Sequence, residues 1–232
     1  MVLERENLMI KSRFLLPLAL LGATVAAQAQ FVYNSRDGQA ATVAGTWLAA
    51  AATDSNWWGD QVTLAGTDRS VTLLETVVQV NPAAGDTTNF LLSFDLQFNT
   101  VSGTTVGAQT FTQSYTTAPI PGTAAAAFLF GFAVPNVTVA DTFVYSLRVH
   151  RLAGSNTGSV GMQAHNSVPT VGNSDPTFFW SQNPTTSAWT QSAFTGGNAN
   201  FRTRITAVPE PASMAVLGLG ALAVIRRRRN KK

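Results

Sequence analysis

Residues 90–98 read Phe90-Leu91-Leu92-Ser93-Phe94-Asp95-Leu96-Gln97-Phe98, with apolar and polar side chains in near-strict alternation. Phe90, Leu92, Phe94, Leu96 and Phe98 fall on one side, and Ser93, Asp95 and Gln97 on the other. Successive side chains of a strand point to opposite faces, so this period of two predicts a half-buried strand of an antiparallel sheet. Phe143, Tyr145, Leu147 and Val149 repeat the pattern against Thr142, Ser146 and Arg148, with Val144 the exception. Weaker strands are expected at residues 43–48, 71–80, 110–115, 128–134, 177–180 and 201–207. Turn formers separate them: Asn81-Pro82, Ala84-Gly85-Asp86, Ser102-Gly103, residues 119–122, Pro135-Asn136, residues 154–156 and Gly196-Gly197-Asn198. No long segment keeps a 3.6-residue period, and the alanine runs 49–52 and 124–127 are expected to form single helical turns at most. Many short strands between turn signals predict an all-β chain, an antiparallel β-sandwich of jelly-roll-like or Ig-like type.

Composition narrows the function classes. The chain has 232 residues, 45% apolar and only 12% charged, enough apolar material to bury a core. A pI of about 9.7 suggests a nucleic-acid partner until the charges are located. Nine of the fifteen basic residues lie in the tails: Arg5, Lys11, Arg13, Arg226, Arg227, Arg228, Arg229, Lys231 and Lys232. Between residues 31 and 208 there are six Arg, no Lys, eight Asp and one Glu, a net charge of −3. A body of that sign gives nucleic acid no electrostatic footing. The absence of cysteine excludes disulfides, thiol catalysis and Cys-ligated metals.

The two ends read as processing signals. Lys11 and Arg13 precede a largely apolar run of 14 residues, 14–27, and Ala27-Gln28-Ala29 supplies small residues at −3 and −1 for cleavage before Gln30. Met9 offers an alternative initiator. The run is short of the ~20 residues of a membrane span. At the other end, Val208-Pro209-Glu210-Pro211 leads into 12 apolar or glycine residues, 214–225, and then Arg226, Arg227, Arg228 and Arg229. A helix of that length reaches roughly 18 Å, short of the ~30 Å hydrocarbon core, and the arginines favour the cytoplasmic side. Pro209 and Pro211 hold the preceding strip extended.

This order of elements, Pro-Glu-Pro, short apolar span and basic cluster, resembles the PEP-CTERM sorting signal. The resemblance covers about 25 residues at the end of the chain and implies recognition by a membrane-embedded exosortase in a Gram-negative bacterium. It further implies transient inner-membrane anchoring through a short transmembrane helix, with the arginines as stop-transfer, then release to the cell surface or beyond. In that family the cargo is associated with exopolysaccharide and biofilm matrix. The expected organisation is therefore a signal peptide over residues 1–29 with a signal helix removed by signal peptidase, a β-sandwich ectodomain over 30–207, and the sorting signal over 208–232.

Little in the body suggests catalysis. A serine hydrolase needs a nucleophile, a base and an orienting acid, yet the body has only His150 and His165 and no GxSxG. His150 reads as a solvated strand end and His165 as part of a polar loop. Two isolated histidines make no zinc site, so no metal or cofactor is expected. Glu75 is the only body glutamate, which leaves aspartate pairs for glycoside hydrolysis. The most suggestive stretch is Asp54-Ser55-Asn56-Trp57-Trp58-Gly59-Asp60. Read as a polar loop, it offers Trp57 and Trp58 to stack on sugars, with Asp54 and Asp60 as hydrogen-bonding partners. Its bland alternative packs one indole into the core with the other over its edge. Trp180 and Trp189 read as further edge aromatics. The expected protein is a non-enzymatic surface or matrix component, with a carbohydrate-binding module or a secreted polysaccharide hydrolase as alternatives.

Overall fold

The computed structural model describes residues 29–37, 43–194 and 199–210. Gln30–Val208 forms one compact unit; of the other, Met1–Ala29 with Pro209–Lys232, only Ala29, Pro209 and Glu210 are described. The expected signal helix and transmembrane helix, with Pro211 and the four arginines, lie outside the described residues. Among the described residues there is no helix, and none long and apolar enough to cross a membrane.

Fourteen strands follow in order: β1 (Gln30–Asn34), β2 (Val43–Leu48), β3 (Trp57–Thr63), β4 (Ser70–Asn81), β5 (Leu92–Ser102), β6 (Thr105–Thr116), β7 (Ala126–Thr138), β8 (Thr142–Arg151), β9 (Ser159–His165), β10 (Asn173–Ser174), β11 (Phe178–Gln182), β12 (Trp189–Ala193), β13 (Asn200–Phe201) and β14 (Thr203–Val208). The pairings nest. β5 pairs β6 across a two-residue turn in which Gly103 takes φ 57, and around this hairpin β4 pairs β7, β3 pairs β8 and β2 pairs β9, all antiparallel. A long hairpin rolled in this way gives two sheets, β2–β9–β4–β7 and β6–β5–β8–β3, which is the jelly-roll arrangement. β1 and β14 add to the first sheet beside β4. β10, β11 and β12 extend the second beyond β3.

The alternation in residues 90–98 explains why the sheets meet. Phe94, Leu96 and Phe98 are wholly buried on β5. Phe94 lies 5.9 Å from Trp47 of β2 and 5.6 Å from Phe132 of β7, both in the opposite sheet. Tyr145 of β8 reaches across too, its hydroxyl donating to Thr203 Oγ1 of β14 at 2.8 Å.

The expected strands at 43–48, 71–80, 110–115, 128–134 and 143–149 lie within β2, β4, β6, β7 and β8. Several expectations fail for physical reasons. Pro135-Asn136 forms no turn: it is a bulge inside β7, tolerated because β7 is an edge strand that pairs only β4. Phe90 stands outside β5 and bridges Ile120 instead. Neither alanine run is helical; Ala51 takes φ 61 in a turn, and Ala126 and Ala127 open β7. Trp57 to Asp60, expected as a loop, open β3, and His165, expected in a loop, ends β9.

Candidate functional site

Which face each residue of the suggestive stretch occupies follows from the register of β3. Trp58 pairs Leu147, and Asp60 pairs Tyr145, so both look into the sandwich. Trp58 packs at 5.1 Å from Phe179 and stacks at 6.4 Å on Phe201, while Asp60 is 1% exposed. Trp57 points the other way, as does Gly59. β3 approaches β8 so closely at Gly59 that a Cβ there would stand 1.8 Å from the Tyr145 carbonyl oxygen. The four residues expected to share a glycan site are thus split between two faces.

The outward face of the second sheet gathers most of the molecule's distinctive side chains. One row runs across the strands as Ser114, Asp95 and Arg148 and carries on as Trp57, Gln182 and Trp189, with Trp57 and Arg148 one residue beyond the paired Trp58 and Leu147. The neighbouring row holds Gln97, Ser146, Gly59 and Trp180. Trp57 and Trp189 are half-buried, and Trp180 is buried against Trp189 at 6.5 Å. In the centre of this face, Gln97 Nε2, Asn99 Oδ1, Ser146 Oγ, Gln61 Oε1 and Trp180 Nε1 have no hydrogen-bond partner. These are five of the eight such buried side-chain atoms among the described residues. Each unpaired buried polar atom costs about 1–3 kcal/mol. Their clustering therefore marks this face as the least self-satisfied part of the fold.

At one end of the face lies a charge cluster. His150 Nδ1 is 2.5 Å from Asp54 Oδ1, and its Nε2 is 2.7 Å from Asp95 Oδ2. Ser114 Oγ donates to Asp95 at 2.5 Å, and Arg148 Nη2 stands 3.4 Å from Asp54. The His150 hydrogen bond holds the Asp54 carboxyl below its ordinary range. His150 is therefore no solvated strand end; it joins the residue 52–56 loop to β5 and β8.

The remaining titratable groups have structural partners. His165 is fully buried, its Nε2 donating to the Ser35 carbonyl and its Nδ1 accepting from the Ser167 amide at 3.1 Å, and burial pulls its pKa down. Glu75 is gripped by Arg36 at 2.9 Å and Arg204 at 2.5 Å. Asp60 is the exception. The Gln61 amide lies near it, but neither carboxylate oxygen has a hydrogen bond of good geometry, and burial pushes its carboxyl well above the usual range. No group of three or more His, Asp or Glu among the described residues has the geometry to hold a metal ion.

A concavity of about 340 Å³ opens at the sandwich edge among Tyr115, Ile120, Phe128, Phe130 and Phe132, with a largely apolar lining. Of the expected sorting residues, Val208 ends β14, and Pro209 and Glu210 follow it half-buried.

Comparison with known families matches residues 207–229 to the PEP-CTERM protein-sorting motif. That motif marks an exported protein, sorted by an exosortase-type enzyme and transiently anchored by its C-terminal tail. No curated protein matches the chain, and no solved structure does.

Proposed function

Because the chain carries a PEP-CTERM protein-sorting motif, we propose that it is a non-enzymatic jelly-roll protein displayed at the cell surface or released into an exopolysaccharide matrix. The motif carries the export half of this reading. The non-enzymatic half rests on how the body's titratable groups are occupied. Both histidines are bonded through both ring nitrogens, and the lone body glutamate is held by two arginines.

The hydrolase alternative would use Asp54 and Asp95, two carboxylates on one face. An inverting glycosidase keeps its pair about 6.5–9.5 Å apart so that a water and the glycosidic oxygen fit between them. Here the His150 ring fills that interval and takes an oxygen from each side.

Cell fractionation tests the sorting half. The wild-type chain is expected in the surface or extracellular fraction, and a Pro209→Ala/Glu210→Ala variant in the inner membrane at its undiminished mass. Surface release unaffected by the double substitution would refute it. For the other half, incubation with cell-derived exopolysaccharide is expected to generate no new reducing ends; reducing ends that vanish in Asp95→Asn would establish the hydrolase.

A further inference from the structure

We propose that the outward face of the β6–β5–β8–β3–β11–β12 sheet binds a neutral polysaccharide. The chain would lie across the strands along the row Asp95, Arg148, Trp57, Gln182 and Trp189. The inference rests on the export reading for where such a polymer is met, and on the geometry of the face for everything else.

Trp57 on β3 and Trp189 on β12 have one strand, β11, between them. Neighbouring strands are ~4.8 Å apart, so the backbones that carry the two indoles stand about 10 Å apart, comparable to a disaccharide unit. Each is half-buried, held by packing while keeping accessible surface. Pyranose rings linked through equatorial oxygens offer flat C–H faces to such platforms, with hydroxyls around their edges. Those hydroxyls both donate and accept. Gln182, half-exposed on the row between the two indoles, offers them an amide oxygen that accepts and an N–H beyond the one given to the Ser187 carbonyl.

Charge points the same way. Arg148 on this face already stands against Asp54, and the His150 ring is bonded to Asp54 and Asp95. The body carries −3 overall with no lysine, so an acidic polymer is repelled. The face also lacks the contiguous apolar area that a protein partner would bury, since amides, hydroxyls and the charge cluster interrupt the indoles.

Affinity gel electrophoresis of the mature protein tests this, with hydroxyethylcellulose and galactomannan as neutral probes and alginate as the acidic one. Retardation by a neutral polymer is expected. Trp57→Ala and Trp189→Ala should each weaken it at least tenfold, while Leu129→Ala, on β7 of the other sheet, leaves it unchanged. Near-ultraviolet circular dichroism checks that each variant keeps its fold. No retardation by either neutral polymer, retardation insensitive to both tryptophan substitutions, or preference for alginate would overturn the inference. So would ultracentrifugation showing that Trp57→Ala merely dissociates a dimer, which would give the face to a second copy. None of these outcomes bears on whether the tail is processed, so failure here leaves the sorting reading standing.

Discussion

Asp60→Asn is expected to stabilise the protein at neutral pH and to remove a pH dependence that the wild type carries. The Asp60 carboxyl is fully buried beside Tyr145 on the neighbouring strand β8, with no well-formed hydrogen bond to either oxygen. Burial raises its pKa in the folded state well above the ordinary 3.8, and Asp175 adds to the shift. Stability from this group is therefore complete below pH 3.8 and is lost as pH rises towards the folded-state value, at up to about 1.4 kcal/mol per pH unit. The loss at pH 7 is bounded by the free energy of protonating an ordinary aspartate there, about 4 kcal/mol. Asparagine keeps the shape and cannot ionise, so it recovers up to that amount while leaving a neutral unpaired group much like the protonated acid. Asp37, Asp54 and Asp86 have depressed pKa values through bonds to Arg36, His150 and Thr88, and they act in the opposite sense, losing stability as pH falls. The quantity to read is accordingly the difference between variant and wild type at each pH. Urea unfolding followed by tryptophan fluorescence from pH 4 to 8 supplies it as a midpoint shift at constant m. The difference should grow in the variant's favour as pH rises. A difference that stays flat between pH 4 and 7, or a variant less stable than wild type at pH 7, would refute the reasoning and show that Asp60 is ionised and partnered.

Two further substitutions probe the packing. Phe94→Ala empties the contact among Trp47, Phe130 and Phe132 of the opposite sheet, and urea denaturation should register a loss of about 3–5 kcal/mol. A loss under about 1 kcal/mol would mean that the sheets do not meet there. Asn156→Ala removes a buried amide that accepts from the Ala83 and Gly158 amides and donates to the Asp86 and Thr88 carbonyls. A loss of about 2–4 kcal/mol is expected, with faster hydrogen exchange at Ala83 and Gly158; unchanged exchange would contradict this.

The parts of the fold legible in the sequence are those whose two faces meet different environments. β5 and β8 alternate because one side meets the other sheet's aromatic residues, and the period of two survives in the residue types. β9 was hidden for the opposite reason: Val160 to His165 are buried on both faces, so Val-Gly-Met-Gln-Ala-His shows no alternation and resembles a loop. β3 was disguised by composition, since Gly59 and Asp60 are ordinary turn residues. Gly59 is there for the close approach of β8, and Asp60 is a buried acid that no propensity anticipates. Once β3 is a strand, adjacent Trp57 and Trp58 must face opposite ways, which divides the expected glycan site. The bond from His150 to Asp95 spans 55 positions and comes from the register of β5 and β8, and the Asp54 bond spans 96 and comes from the loop that bridges β8 at His150. In the sequence Trp189 reads as an edge aromatic and Trp57 as a sugar-stacking candidate, and the row that holds both appears only when β11 joins their strands.

The central claim is that this jelly roll is cargo, carried out of the cell by one end and released from the other. Mass spectrometry of both ends of the mature surface protein tests it most directly. The account predicts a first residue at Gln30 or a near neighbour, and no peptide containing Arg226 to Lys232. An intact basic tail on the surface-exposed protein would contradict it.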